Sequence, residues 1–376
     1  MKALPHSWKS ASRSIPENNI GKAEKLNKSP NYKEKEGIVM KKRLLAALMA
    51  ASLCASLVAW GGSSTQTGGE DGGSSADGVT LRFNFVKSST DPEYEWYEQY
   101  FSDISEASGG EIQYELYPSE ALGGSADVLE MAAQGQAVVQ DCDLSYLADY
   151  VPGIDAGMAP YLIQEPEQVV KLWKSEVGQE WSDALAEKGL HLIDLHYFGT
   201  RNLISDTEVH SREDMADLKI RCAATPMWNE VVRVLGGNAT NTAWSETYQA
   251  LSQGVADAAE SPMPLLYSAR LYEPCKYLIK TEHLVAATAI VMSEEVYQSL
   301  SPEAQEAIDS CADNFANEVV DKVLANEEEY EQMLVDEGVQ VIDIDKTEFI
   351  EAAQETPEHF PDWPEGIYER VQEAIA

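Results

Sequence analysis

From Val79 onward the chain alternates between short strand-like runs and longer helix-like runs, and this alternation limits the available folds more than any other feature. VTLRFNF (79–85) alternates apolar and polar residues with the period of two that a strand requires. DPEYEWYEQYFSDISEASGG (91–110) follows, with aromatic residues at helical spacing and a glycine stop. EIQYELYP (111–118) reads as a second strand, SADVLEMAAQG (125–135) as a second helix and QAVVQDCDL (136–144) as a third strand. Residues 165–189 read as one or two helices and LHLIDLHYFG (190–199) as another strand. A β-α-β-α-β succession predicts an α/β architecture around a mostly parallel sheet.

A second unit starts near Thr200. DLKIRC (217–222) is a strand, and TPMWNEVVRVLGG (225–237) a helix with Thr225 as N-cap, Pro226 in the first turn and Gly236 as the stop. SETYQALSQG (245–254) is a further helix, and VADAAESP (255–262) leads into a strand or turn. After Ser301-Pro302 no proline or glycine interrupts the chain as far as Glu337. As one helix of about 36 residues this run extends roughly 54 Å, enough to lie across two domains. VQVIDID (339–345) is a strand and EGIYERVQEAIA (365–376) a closing helix.

The N-terminal part reads as an address. Lys41, Lys42 and Arg43 precede an apolar run of about 15 residues, the n-region and h-region of a secretory signal, too short for a spanning helix. LVAWGGSS (57–64) has the form of a lipoprotein cleavage site with Trp60 where the lipidated cysteine belongs, so an anchor at this position is absent or altered. Lys35-Glu36-Gly37 can be encoded by a ribosome-binding sequence just before Met40, which makes residues 1–39 a translated leader and Met40 the expected start. Residues 61–78, with seven Gly and four Ser, form a flexible tether. The protein is therefore expected to be exported, on the periplasmic or extracellular face of the cytoplasmic membrane.

Charge narrows the partners. The 376 residues carry 27 Lys+Arg against 64 Asp+Glu, a formal net charge of −37. Residues 1–60 hold 11 of the basic and 4 of the acidic residues, leaving 16 against 60 beyond them. So acidic a body excludes nucleic acid and anionic membranes as partners. Any anionic ligand must be held locally, and only seven arginines follow residue 60: Arg82, Arg201, Arg212, Arg221, Arg233, Arg270 and Arg370. Cys142, Cys222, Cys275 and Cys311 follow no metal-ligand spacing and read as buried free thiols. His191 and His196 sit five apart on one strand, on opposite faces, a poor metal site. Neither a nucleophile elbow, a phosphate-binding loop nor a zinc-protease motif is present, so no cofactor or metal is expected.

Three segments, GTRNLISD (199–206), DLKIRCAATPMWNEVVRVLGG (217–237) and TAWSETYQALSQGVADAAESP (242–262), together resemble the solute-binding proteins of tripartite ATP-independent periplasmic (TRAP) transporters. YPSEALGGSADVLEMAAQG (117–135) and LLYSARLYEPCKYL (265–278) continue the resemblance, which covers about 79–345. It implies a two-domain periplasmic-binding-protein-like fold with crossing strands and a long domain-spanning helix. The expected domains are 79–198 plus 286–325, and 199–285 plus 326–376.

Within this resemblance, Arg221 of the KIR strand motif takes the place of the arginine that grips the substrate carboxylate. The chemistry is independently sound, because a planar guanidinium forms two parallel charge-assisted bonds to a carboxylate. Leu218, Ile220 and Cys222 share one strand face and leave Arg221 on the other. Arg201 resembles a second arginine used by some members. Ser261 stands where the family usually has Asn, exchanging an amide for a shorter hydroxyl. Trp244 suits stacking on a ligand face, and Glu246 resembles a site-region glutamate. Asn84 and Lys87 at the end of the first strand, and Asp143 and Tyr146 at the end of the third, complete the candidates, since α/β domains place ligands beyond the carboxyl ends of their strands.

The resemblance implies a monomeric protein that captures a small carboxylate ligand by an Arg–carboxylate clamp, closes its domains on it, and delivers it to TRAP membrane permease subunits without chemical change. A sugar acid (uronate or aldonate) is the first expectation and a C4-dicarboxylate the second. The alternatives are an exported enzyme acting on acidic sugars, which needs an acid–base pair at the substrate, and an extracytoplasmic sensor domain.

Overall fold

The computed structural model describes residues 78–376, so the signal, leader and lipoprotein readings on residues 1–77 lie outside the described residues. Nine strands form one mixed sheet in the order β2-β1-β3-β8-β4-β7-β5-β6, with β9 paired to β8. In chain order they are β1 (Val79–Asn84), β2 (Ile112–Tyr117), β3 (Val138–Asp143), β4 (Leu190–Ser205), β5 (Lys219–Cys222), β6 (Asn238–Asn241), β7 (Ala258–Pro262), β8 (Tyr277–Ser293) and β9 (Gln340–Asp343). The helices are α1 (Pro92–Ala107), α2 (Ser125–Ala133), α3 (Leu144–Leu147), α4 (Glu167–Trp173), α5 (Glu176–Ala186), α6 (Pro226–Leu235), α7 (Thr247–Ser252), α8 (Met263–Ser268), α9 (Glu294–Ser299), α10 (Pro302–Asp336), α11 (Thr347–Ala353) and α12 (Ile367–Ile375).

The sheet has two flanks. On one, β1 pairs in parallel with β2 and β3; on the other, β5 pairs in parallel with β6 and β7. Two long strands join them. β4 and β8, of 16 and 17 residues, pair antiparallel along their length, and they bind β3 on one side and β7 on the other. The sheet is therefore less parallel than the alternation of elements predicts. Both long strands are almost wholly buried and keep no clear polar–apolar alternation; the first part of β4 is among the expected strands, and β8 is not. Their ladder carries register shifts between Leu192 and Asp194, between Tyr197 and Gly199, and between Arg201 and Leu203.

Helix α10 runs unbroken for 35 residues. Ser301 caps it, its hydroxyl accepting from the Ala304 N–H while Glu111 accepts from Ser301. Ala304, Ala307, Ile308, Ala312, Phe315, Val319 and Val323 make its buried stripe. The Phe315 ring stacks on Tyr100 of α1 at 4.5 Å. The helix packs on β4 and touches α1 beside the first flank and α8 beside the second. Phe83, Phe85, Tyr97 and Phe101 centre the larger apolar core, and each fully buried ring contributes roughly 2–3 kcal/mol. A smaller core of Ile204, Leu266, Leu271, Leu278 and Leu334 lies under the second flank.

The closing helix departs from the expected domain division. α12 packs on α4 and α5, beside the first flank, where Ile367, Val371 and Ile375 are buried and Gln168 donates to the Ile375 carbonyl. Only the preceding α11 stays with α6 on the second side. The chain crosses back between them, so 326–376 does not belong to one unit. Among the described residues no helix is long and apolar enough to cross a membrane.

Candidate ligand-binding site

Where the two flanks meet, a cavity of about 370 Å³ opens over the ends of β3, β5 and β7, a size suited to a small organic ligand. Arg221 enters it from β5. That strand is hydrogen-bonded on both sides, Arg221 lying opposite Thr240 of β6 and Ala259 of β7, so its backbone is fixed. Ile220 and Cys222 point into the core, as the strand period requires.

Arg221 is 4% exposed. Its Nη2 donates to the Thr242 carbonyl at 2.6 Å, its Nε lies 3.4 Å from the Thr242 hydroxyl, and Trp244 lies under it at 5.3 Å. Among the described residues it has no carboxylate within ion-pair distance and Nη1 has no hydrogen-bond partner. Burial pulls its pKa below the usual arginine value, with Glu260 opposing that effect. A buried cation without a directly paired carboxylate is costly.

Arg201 reaches the same cavity from β4 but is already occupied. Its Nε and Nη2 bind Glu260 of β7 side-on at 2.5 and 3.0 Å, and it lies 4.5 Å from the centre of the Trp228 ring. Burial raises the Glu260 carboxyl, but Arg201 and His283 outweigh that and hold it below the ordinary value. Arg201 is thus a neutralised wall of the site.

Ser261 follows Glu260 on β7. It is fully buried, lines the cavity, and its hydroxyl has no partner in the protein. Unpartnered buried hydroxyls are uncommon in folded proteins. Asp143 caps α3, accepting from the Ser145 N–H at 2.9 Å and from the Trp228 indole at 3.1 Å. Burial raises its carboxyl, with Ser145 and Trp228 opposing. Tyr146 stands one turn into α3 at the cavity wall.

Arg221, Arg201, Ser261, Trp244, Asp143 and Tyr146 thus converge on one cavity. Three other expected residues do not line it. The Asn84 amide is consumed internally, donating to the Gly123 carbonyl and Gln140 and accepting from the Leu122 N–H, which ties the loop before α2 to β1. Lys87 is buried against Tyr97, to which it donates at 2.9 Å, and lies 4.1 Å over the Phe198 ring. Glu246 is exposed at the end of the short Trp244–Glu246 turn.

Sequence reading missed Thr242, Trp228 and Glu120. Thr242 acts through its carbonyl, which no side-chain pattern reveals, and Trp228 reads as a helix core residue. Glu120 comes from the loop after β2, with Ser119 and Glu120 both in left-handed backbone at φ 56°. Burial raises its carboxyl, with Arg221 as the main opposing charge. Among the described residues no cluster of His, Cys, Asp and Glu is arranged to hold a metal.

A family model described as bacterial extracellular solute-binding protein, family 7, matches residues 83–360. The chain belongs to that family. This solute-binding protein is 27% identical to the sialic acid-binding periplasmic protein of Vibrio cholerae, over 73% of its own length and 86% of the relative's. It is 26% identical to the 2,3-diketo-L-gulonate-binding periplasmic protein of Escherichia coli K12, covering 74% and 86%. A crystal structure of a TRAP periplasmic solute-binding protein from Ochrobacterium anthropi with bound L-fuconate superposes with a TM-score of 0.77 at 29% identity, covering 80% of this chain and all of that one. A TRAP protein from Actinobacillus succinogenes with bound L-galactonate gives 0.76 at 27%, covering 79% and 99%. The two-domain fold with crossing strands and a long bridging helix is that of TRAP solute-binding proteins, which bind small molecules and work with membrane permease subunits.

Proposed function

We propose that this solute-binding protein captures a small organic acid outside the cytoplasm, holding its carboxylate on Arg221 and closing two lobes around it. The observation that carries this reading is the pairing of a buried guanidinium lacking a counter-ion with the unpartnered hydroxyl of Ser261, both in one cavity. A carboxylate on Arg221 Nη1 and Nη2 gains two charge-assisted hydrogen bonds in a site shielded from water. A uronate or aldonate fits first, because Trp244 offers a ring face and Ser261, Asp143 and Tyr146 offer hydrogen-bonding groups to a hydroxylated chain. A C4-dicarboxylate is the second candidate. That relatives and structural neighbours are named for sialic acid, L-fuconate and L-galactonate supports the order.

The ligand leaves unchanged. The closed monomer delivers it to a TRAP permease. A thermal-shift screen over uronates, aldonates and dicarboxylates tests the reading, since a ligand stabilises only the state it binds. At least one sugar acid is expected to raise the melting temperature, and mass spectrometry is expected to recover it intact. Absence of any response, or turnover of the acid, overturns the proposal.

A further inference from the structure

The two arginines of the cavity are not equivalent, and this sets what the far end of a ligand can be. Arg221 has hydrogen-bond capacity for one carboxylate, while Arg201 is bound side-on by Glu260. No lysine lines the cavity. The remaining charged side chains around it are acidic: Glu120, Asp127, Asp141 and Asp143. Asp141 accepts one hydrogen bond on each oxygen, from the hydroxyls of Tyr97 at 2.7 Å and Thr288 at 2.6 Å. Asp143 is held by Ser145 and Trp228. Glu120 forms no ion pair among the described residues and is half-buried at the cavity wall, where it also lines a shallow depression with Ser88, Trp244 and Tyr248.

The backbone marks the same residue. Left-handed φ costs a side chain roughly 1–2 kcal/mol, which glycine avoids, yet Ser119 and Glu120 both adopt it. The Ser119 N–H donates to the Lys87 carbonyl at 2.8 Å and the Glu120 N–H to the Phe85 carbonyl at 2.9 Å, which pins the turn against the chain beyond β1. The carboxylate is thereby presented from the first flank toward a cavity whose cation enters from the second. The buried hydroxyl of Ser261, on the wall of the same cavity, has no partner among the described residues and is an independent polar group available to a ligand.

Building on the carboxylate-capture reading, we propose that Glu120 sets ligand specificity: it accepts hydrogen bonds from hydroxyl or ammonium groups of a ligand whose carboxylate Arg221 holds, and disfavours a second carboxylate. The preferred ligand class is a monocarboxylate with a donor-bearing tail. A second carboxylate in place of that tail adds a like charge beside Glu120, while Arg221 is already taken up by the first carboxylate and Arg201 by Glu260.

The test titrates the wild-type protein, Glu120→Gln, Glu120→Ala and Arg221→Ala with L-galactonate, galactarate and 6-aminohexanoate, after thermal melts confirm that each variant is folded. Galactarate differs from galactonate only in a second carboxylate at the far end, and 6-aminohexanoate separates an ammonium from hydroxyls. Wild-type protein is expected to favour galactonate or 6-aminohexanoate over galactarate by at least tenfold. Glu120→Gln is expected to bring that ratio down to threefold or less by strengthening galactarate, and Glu120→Ala to weaken the favoured probe about tenfold. If both Glu120 variants keep the wild-type preference while Arg221→Ala loses binding, the Glu120 assignment falls and the carboxylate-capture reading stands. If Arg221→Ala binds as the wild type does, or the wild type binds none of the three, both fall. Tighter wild-type binding of galactarate overturns the specificity proposal alone.

Discussion

The Trp228 indole of α6 donates to the Asp143 carboxylate at the start of α3, at 3.1 Å, and the Thr225 hydroxyl meets that of Ser145 at 3.0 Å alongside it. Two helix N-termini from opposite flanks of the sheet are thus tied across the cavity by their own capping groups. Trp228→Phe keeps the ring over Arg201 and removes the donor. It is expected to weaken ligand affinity by about 1 kcal/mol, the scale of one hydrogen bond. The loss should fall in the dissociation rate measured by stopped-flow fluorescence, with the association rate little changed.

Arg221→Ala is expected to cost 2–5 kcal/mol of ligand binding, the scale for removing one member of a buried charged pair, about 30- to several-thousand-fold in Kd. Arg221→Lys should recover only part of this, because an ammonium cannot make the side-on pair. Isothermal titration with whichever acid the thermal screen selects measures both. An unchanged Kd in Arg221→Ala rejects the clamp.

Glu120→Gly should raise the stability of the ligand-free protein by about 1 kcal/mol, since glycine meets φ 56° without strain. The same variant should bind its ligand more weakly. Chemical denaturation read beside titration checks the pair of effects, and a destabilised Glu120→Gly removes the argument from strain.

Glu327 on α10 accepts from the Thr200 N–H and from the Tyr197 hydroxyl at 3.1 Å, at the irregular stretch of β4. Burial pushes its carboxyl up to about 7, against an ordinary 4.5. The fold therefore holds this proton more tightly than the unfolded chain does. The resulting stabilisation is full below about pH 4.5, declines as pH rises toward 7, and is lost above it. Glu327→Gln removes the penalty and is expected to stabilise the protein by ~3 kcal/mol more at pH 8 than at pH 4.5. Urea unfolding at the two pH values measures the difference, and equal effects at both would refute the assignment.

The legible and illegible parts of this chain divide along physical lines. Thr225, Pro226 and Gly236 punctuate α6 where the sequence places them, because capping chemistry is local: Thr225 accepts from the Trp228 N–H and Gly236 takes the left-handed C-cap at φ 95°. The proline- and glycine-free run of α10 was equally plain. The long strand β8 was not, since 17 nearly all-buried residues show no period, and its role depends on partners far along the chain. Among site residues, Arg221 was legible from strand alternation and from its motif, whereas the neutralisation of Arg201 depends on Glu260, 59 residues away. Asn84 and Lys87 sit at strand ends where ligands are often held, yet turn to internal partners that only the folded chain supplies.

The register shifts of the long ladder have a mechanical consequence. β4 and β8 are the strands that run through both flanks, so a hinge between them has to twist a hydrogen-bonded ribbon instead of bending a loose linker. The interruptions of the ladder lie beside Gly199, where an added Cβ would meet the Pro262 ring at 2.7 Å, and beside Arg201. Arg201 thus lies both beside an interruption of the long ladder and on the wall of the binding cavity, so the chain that frames the ligand is the same chain that links the flanks.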